Sequence, residues 1–275
     1  MTASDSVWRI VSSTPHELGE GLRRVDGLVQ WVDLLQGHAY SWDPASAEPG
    51  RLKHSAGRPL GVVEPGPDGR VLAAVGTGLA HLSPAGEFVT VADTGLDPAR
   101  HRVNDGAFAP DGSFWFGTMV HDDSTPQGAQ WRWDPLSGRL SQLRSGIDIP
   151  NGPTFLQDGQ TALVADTSAR RILRTSVRAP HEWETFAVVT GGSPDGMFTD
   201  DQNQVWNAVW GASRLDVYSS DGALLKRVPL PVSQPTSVLH MPGPDPLVVI
   251  TSAAVGLDAR GGLDGHTLAA PLSHL

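Results

Sequence analysis

Apolar residues in this chain come in short runs, each cut off by Gly, Pro, Asp or Asn. Within the runs the side chains alternate: in "DGSFWFGTM", Phe114 and Phe116 face one side and Trp115 the other. That period of two is expected of strands packed between neighbouring sheets. Turn residues separate the runs. Pro67-Asp68-Gly69, Pro110-Asp111-Gly112 and Ser220-Asp221-Gly222 each stand between two apolar stretches, where a hairpin needs its turn. No segment keeps a helical period for more than about two turns, so the chain is predicted to be all-β.

The runs also repeat as groups. Six segments share one layout of turn cluster, apolar strand, Gly-containing turn, second apolar strand, small-residue stretch and third strand. The clearest are "RVNDGAFAPDGSFWFGTM", "IPNGPTFLQDGQTALVADTSARRILRTSV" and "SPDGMFTDDQNQVWNAVWGASRLDVYSSDG". Their entry residues, Glu20, Gly61, Asn104, Asn151, Asp195 and Thr236, are 41, 43, 47, 44 and 41 residues apart. A period of about 40 to 45 suits four-stranded propeller blades. Six blades fill residues 1–275 as a single domain, and every entry residue then lies at one end of a central channel.

Composition narrows the chemistry. Among 275 residues, 31 Gly, 22 Pro and nine Trp favour many tight turns over long helices. The absence of Cys excludes disulfides and thiolate metal sites. A net charge of -10 opposes binding to nucleic acid or to anionic membranes and favours a neutral small molecule or a cation. No apolar run approaches the roughly 20 residues of a membrane span. The opening "MTASDSVWRIVSSTPHELGEG" lacks the basic and apolar regions of an export signal, so a soluble, cytoplasmic protein is expected. A propeller closes on itself and needs no partner, so a monomer is expected.

Three entry points supply oxygen donors suited to a hard cation: Glu20, Asn151 and Asp195. Two carboxylates and an amide carbonyl suit Ca²⁺ or Mg²⁺ and are open to Mn²⁺ or Zn²⁺. Asn104 is a candidate fourth contact. Taken singly, Asn, Asp and Gly before a strand are turn formers; their recurrence at one phase of the repeat is what suggests a site. Ten His without His-x-His or His-Glu-x-x-His spacing argue against an imidazole-built centre. His101 and His121 read as loop or rim residues, with a proton shuttle as the alternative. Asp166 is expected to support Asn151 from behind, with a plain strand-end residue as the alternative. Trp31, Trp42, Trp115, Trp131, Trp133, Trp206 and Trp210 are expected to pack between blades.

The stretches "LGEG" at 18–21, "WVD" at 31–33, "RVNDG" at 102–106, "FWFGTM" at 114–119, "IPNG" at 149–152, "VADT" at 164–167, "PDGMFTD" at 194–200 and "VVITSAAVGLD" at 248–258 resemble, in order, the family of senescence marker protein (regucalcin), gluconolactonases and luciferin-regenerating enzyme. The resemblance implies a six-bladed propeller with one divalent metal in the channel, held by Glu20, Asn151 and Asp195. It also implies that Arg102, Asn104 and Asp122 contact the substrate. The chain departs from the family where Glu20-Gly21 is followed by Leu22, Arg23 and Arg24 instead of Pro and an aromatic. Phe155 stands where a Trp is frequent. Both departures are expected to reshape the pocket rim.

The reaction implied is metal-dependent hydrolysis of a sugar (aldono-) lactone to the sugar acid, with Asp195 the candidate general base for the attacking water. Two other readings stand beside it. One is an organophosphate or fluorophosphate hydrolase on the same scaffold, and the other is a calcium-binding regulatory protein without turnover. An arginine beside the metal ligands favours an enzyme, since a cation buffer has no need of one.

Overall fold

The computed structural model describes residues 7–121, 127–257 and 261–275. Its strands form six four-stranded antiparallel sheets, five of them consecutive in sequence. Blade 1 is β2 (Gly19–Val25), β3 (Leu28–Asp33), β4 (His38–Trp42) and β5 (Arg51–Ser55). Blade 2 is β6 (Leu60–Pro65), β7 (Val71–Val75), β8 (Gly78–Leu82) and β9 (Phe88–Asp93). Blade 3 is β10 (His101–Phe108), β11 (Phe114–Val120), β12 (Ala129–Trp133) and β13 (Leu140–Ser145). Blade 4 is β14 (Pro150–Phe155), β15 (Thr161–Asp166), β16 (Arg171–Ser176) and β17 (Glu184–Val188). Blade 5 is β18 (Ser193–Thr199), β19 (Val205–Trp210), β20 (Arg214–Tyr218) and β21 (Leu224–Pro229).

The last blade is composite. β22 (Pro235–Met241), β23 (Leu247–Ser252) and β24 (Leu268–Pro271) are completed by β1 (Arg9–Ile10), which pairs Arg9 with Ala269 and Ile10 with Leu268. Residues far apart in sequence thus close the ring, and the protein is an all-β, six-bladed β-propeller. Nothing in the hydrophobic pattern announced β1, because two residues are too short to show alternation.

Alternation along the second strands builds the core. Phe114 and Phe116 join Leu72 and Ala74 of blade 2, while Trp115 turns to Ala162 of blade 4. Leu72 and Ala74 face blade 3, and Ala73 and Val75 face blade 1. Each second strand therefore serves two interfaces, and burying one large side chain there contributes about 1.5–3 kcal/mol. The expected turns also form. Gly112 N–H bonds to Ala109 O at 2.9 Å and Gly222 N–H to Ser219 O at 3.0 Å, with Gly112 at φ 83°. Among the described residues there is no α-helix, and none is long and apolar enough to cross a membrane.

Candidate active site

The six innermost strands share one feature: each is bulged where it enters the sheet. On β2, Glu20 pairs with Val32 but Arg23 with Gln30, so three steps on one strand match two on its neighbour. The same slip lies between Val103 and Gly106 on β10, Asn151 and Thr154 on β14, and Pro194 and Met197 on β18. On β6 and β22 it lies between Leu60 and Val62 and between Pro235 and Ser237. An extra residue bends the strand and re-aims its side chains. The six entry residues of the sequence repeat, Glu20, Gly61, Asn104, Asn151, Asp195 and Thr236, all fall at these bulges. The turn-like composition is explained, since the same residue types that make turns make bulges.

Four of these side chains meet. A cavity of about 340 Å³ at the channel mouth is lined by Glu20, Arg102, Asn104, Asn151, Thr167 and Asp195, with Leu18, Met119, Ile149, Trp210, Gly256 and Leu257 forming its remaining wall. Glu20, Asn104, Asn151 and Asp195 are each 3–5% exposed, and Arg102 is also buried. The polar groups form a directed chain. Arg102 Nη1 donates to Asn104 Oδ1 at 2.6 Å, and Asn104 Nδ2 donates to Asn151 Oδ1 at 2.8 Å and to Pro150 O at 3.0 Å. Asn151 Nδ2 donates to Thr167 Oγ1 at 3.1 Å, and that hydroxyl donates its proton to Pro194 O at 2.7 Å. Arg102 can only donate, and Thr167 has already committed its proton. The orientation of both amides is therefore fixed from both ends, with Asn151 Oδ1 held as an acceptor on the cavity side.

Asp195 Oδ1 is buried without a hydrogen-bond partner. Burial raises the Asp195 carboxyl well above its ordinary value, with the negative charge of Asp105 adding to the effect; the Gly196 N–H and Arg102 oppose it. Glu20 is likewise raised well above the ordinary value by burial and then by the charges of Asp195 and Asp105, against the Gly21 N–H and Arg102. Asp105 is pushed up to about 6 by burial, with Arg23 and the Gly106 N–H pulling the other way. Clustered buried carboxylates with a lone oxygen unpaired are costly without a positive charge among them. Two carboxylates and an oriented amide carbonyl fit a hard divalent cation. Among the described residues no three His, Asp or Glu side chains gather as a metal cluster, and the oxygen donor that shares the cavity with the two carboxylates is an amide's.

Residues 18–254 match the family model described as the SMP-30/gluconolactonase/LRE-like region. The chain belongs to this family. Pentonolactonase XacC of Haloferax volcanii is 30% identical over 95% of this chain and 90% of its own length. The L-arabinolactonase of Azospirillum brasilense is 34% identical over 57% of this chain and 54% of its own. Among solved structures, a calcium-binding protein, regucalcin, of Agrobacterium tumefaciens superposes with a TM-score of 0.85 at 29% identity, covering 95% of this chain and 92% of that one.

Family membership accords with the ordered motifs, and the structure refines what they suggested. Glu20, Arg102, Asn104, Asn151 and Asp195 are brought together; Asp122 lies outside the described residues. Asp166 does not support Asn151. Its carboxylate pairs with Arg171 at 2.9 Å, and the adjacent Thr167 takes the role instead. His101 and His121 face away from the cavity, bonding to Asp97 O at 3.2 Å and Pro98 O at 3.1 Å. Trp210 is the one tryptophan of those named that leaves the packing role, because it lines the cavity against Gly256, where a Cβ would come within 2.5 Å of its ring. Leu22, Arg23 and Phe155 do not shape the rim. Leu22 is in the core, Phe155 packs on Trp115 with ring centroids 5.9 Å apart, and Arg23 points down the channel. The apolar wall of Leu18, Met119, Ile149 and Leu257 was not anticipated; all but Met119 lie outside the strands, where periodicity carries no signal.

Proposed function

We propose that this protein is a metal-dependent lactonase that opens a small sugar lactone to its sugar acid. The reading rests on one observation: the unpaired, buried Oδ1 of Asp195 shares a cavity with Glu20 and the oriented Arg102–Asn104–Asn151 chain. The lactonases among its relatives support the substrate class, and regucalcin supports a divalent cation.

Glu20, Asp195 and Asn151 Oδ1 are the groups that hold the cation; when bound, it supplies Lewis acidity to a lactone carbonyl and lowers the pKa of nearby water. The chain's own groups supply the rest. Asp195, free to accept at Oδ1, takes the proton of the attacking water as its oxygen bonds to the carbonyl carbon. The ring C–O bond then breaks, and the ring oxygen leaves as a hydroxyl carrying that proton. Arg102 places a fixed positive charge at the wall where the carbonyl oxygen becomes negative. Asn104, held by Arg102, is a substrate contact whose direction is set before binding. Leu18, Met119, Ile149 and Leu257 exclude water and cover the carbon face of a small ring.

The test is acid release from pentono- and gluconolactones, followed with a pH indicator, with and without chelator. Turnover lost to chelator and restored by Ca²⁺, Mn²⁺, Mg²⁺ or Zn²⁺ is expected. Cleavage of a fluorophosphate without lactone turnover, or calcium binding without turnover on either panel, would replace this reading.

A further inference from the structure

The bulge that aims Glu20 into the channel also aims Arg23 there. In a regular strand, residues three apart face opposite sides. The extra residue, with Gly21 at φ 60°, makes Glu20 and Arg23 effectively two steps apart and puts both on the channel side, while Arg24 faces solvent. Arg23 then spans three blades. Its Nε donates to Glu64 Oε2 of β6 at 3.0 Å and its Nη1 to Leu22 O at 2.7 Å. Its Nη2 donates to Gly106 O of β10 and lies 3.5 Å from Asp105 Oδ1. The Arg23 side chain is 17% exposed and that of Asp105 5%.

Charged groups of both signs stand along this channel. Among the described residues, Glu20, Asp195, Asp105 and Glu64 provide four carboxylates, and Arg102 and Arg23 provide two guanidiniums. After burial, the negative charge of Asp105 adds to the upward shifts of both Glu20 and Asp195, which couples the two parts of the channel electrostatically.

We propose that Arg23 is a resident cation of the channel: by occupying the space between Glu64 and Asp105 it limits the channel to a single divalent ion. The inference rests on the metal site proposed above but concerns a different pair of carboxylates. Without Arg23, Asp105 and Glu64 present two hard oxygen donors across adjacent blades, with no fixed positive charge to oppose a second ion. Lysine keeps the charge and should preserve the limit even though it loses the fork-shaped contacts.

Calcium binding by equilibrium dialysis decides this, with circular dichroism to verify folding. Wild type and Arg23→Lys are expected to bind one Ca²⁺ per chain, Arg23→Gln two, and Arg23→Gln with Asp105→Asn one. Arg23→Gln binding one ion with unchanged affinity would overturn the inference while leaving the lactonase reading intact. No calcium bound by wild type, whether or not Arg23→Gln gains an ion, would likewise overturn the inference, which requires one ion in the wild type, and would leave the lactonase reading to the Mn²⁺, Mg²⁺ and Zn²⁺ arms of its own test. Should Arg23→Gln fail to fold, Asp105→Asn alone remains decisive. With Arg23 present but its partner neutral, the channel has lost one carboxylate and calcium affinity is expected to drop at least about tenfold. Unchanged affinity in that variant would also overturn the proposal.

Discussion

The bulges of blades 1, 4 and 5 and those of blades 2 and 6 each add one residue to the inner strand and do different work. At Glu20, Asn151 and Asp195 the bulge carries a polar side chain into the cavity. In blade 2 it carries Gly61, where a Cβ would stand 2.1 Å from Asn104 O, so the inner strands of blades 2 and 3 meet backbone to backbone. In blade 6 it carries Thr236, whose hydroxyl donates to Gly19 O and shares a hydrogen bond with Thr251 Oγ1 at 2.9 Å. The fold thus offers six equivalent positions, and residue identity decides which bind and which brace.

Substitutions should separate the two groups. The largest effect is expected at Asp195: Asp195→Asn should lower kcat for lactone opening by about 10²–10⁴-fold, the usual range for a lost general base, while thermal melting shows no loss of stability. A fall in Tm that accounts for the lost activity would move Asp195 into the bracing group.

The next effect is in pH. Glu20 and Asp195 have raised values in the folded, metal-free chain, so folding takes up protons. The stability this gives is full below the unfolded values near pH 4 and is lost as pH rises through the folded ones, by about 1.4 kcal/mol per pH unit for each proton linked. Chelated protein should therefore melt at lower temperature as pH rises from about 5 to 8, and the stabilisation by calcium should grow over the same span. Glu20→Gln should flatten the slope. A flat profile for the wild type would show that burial does not raise these carboxyls.

Gly61→Ala comes third, with a cost of about 1–3 kcal/mol from overpacking against Asn104 O. It should displace the whole pH curve and leave its slope alone. Gly243→Ala, with nothing within 4 Å of the added carbon, is the matched control and should melt like wild type. Thr236→Val is the smallest, about 1 kcal/mol for the lost hydroxyl bond. Its kcat should stay near wild type, because it reaches the site only through the backbone of Gly19; a large kcat loss would give blade 6 a direct part in the chemistry.

How much of this was legible in the sequence follows from what each feature depends on. Phe114, Trp115 and Phe116 alternate because each second strand packs on two neighbours, so blade number and strand faces could be read directly. The entry residues were legible as a set because the bulge recurs at one phase of the repeat. What could not be read were the features set by contacts between blades: the choice of Thr167 over Asp166 behind Asn151, the turn of Trp210 toward the cavity, and the reach of Arg23 to β10. Each depends on which side chains a neighbouring blade brings near, and a repeat pattern states the phase of a residue without stating its neighbour.

The composite sixth blade has a consequence in time. Glu20 and Asp195 belong to blades on either side of it, and Gly19 is held by Thr236 of β22, so the two carboxylates are brought together only when β22–β24 lie between them and β1 has joined β24. During synthesis the blades can form one after another from local hairpins, but pairings of such long sequence separation come late. A growing chain therefore exposes scattered, well-hydrated carboxylates until the ring shuts, and the cavity that gathers them is completed only in that final step.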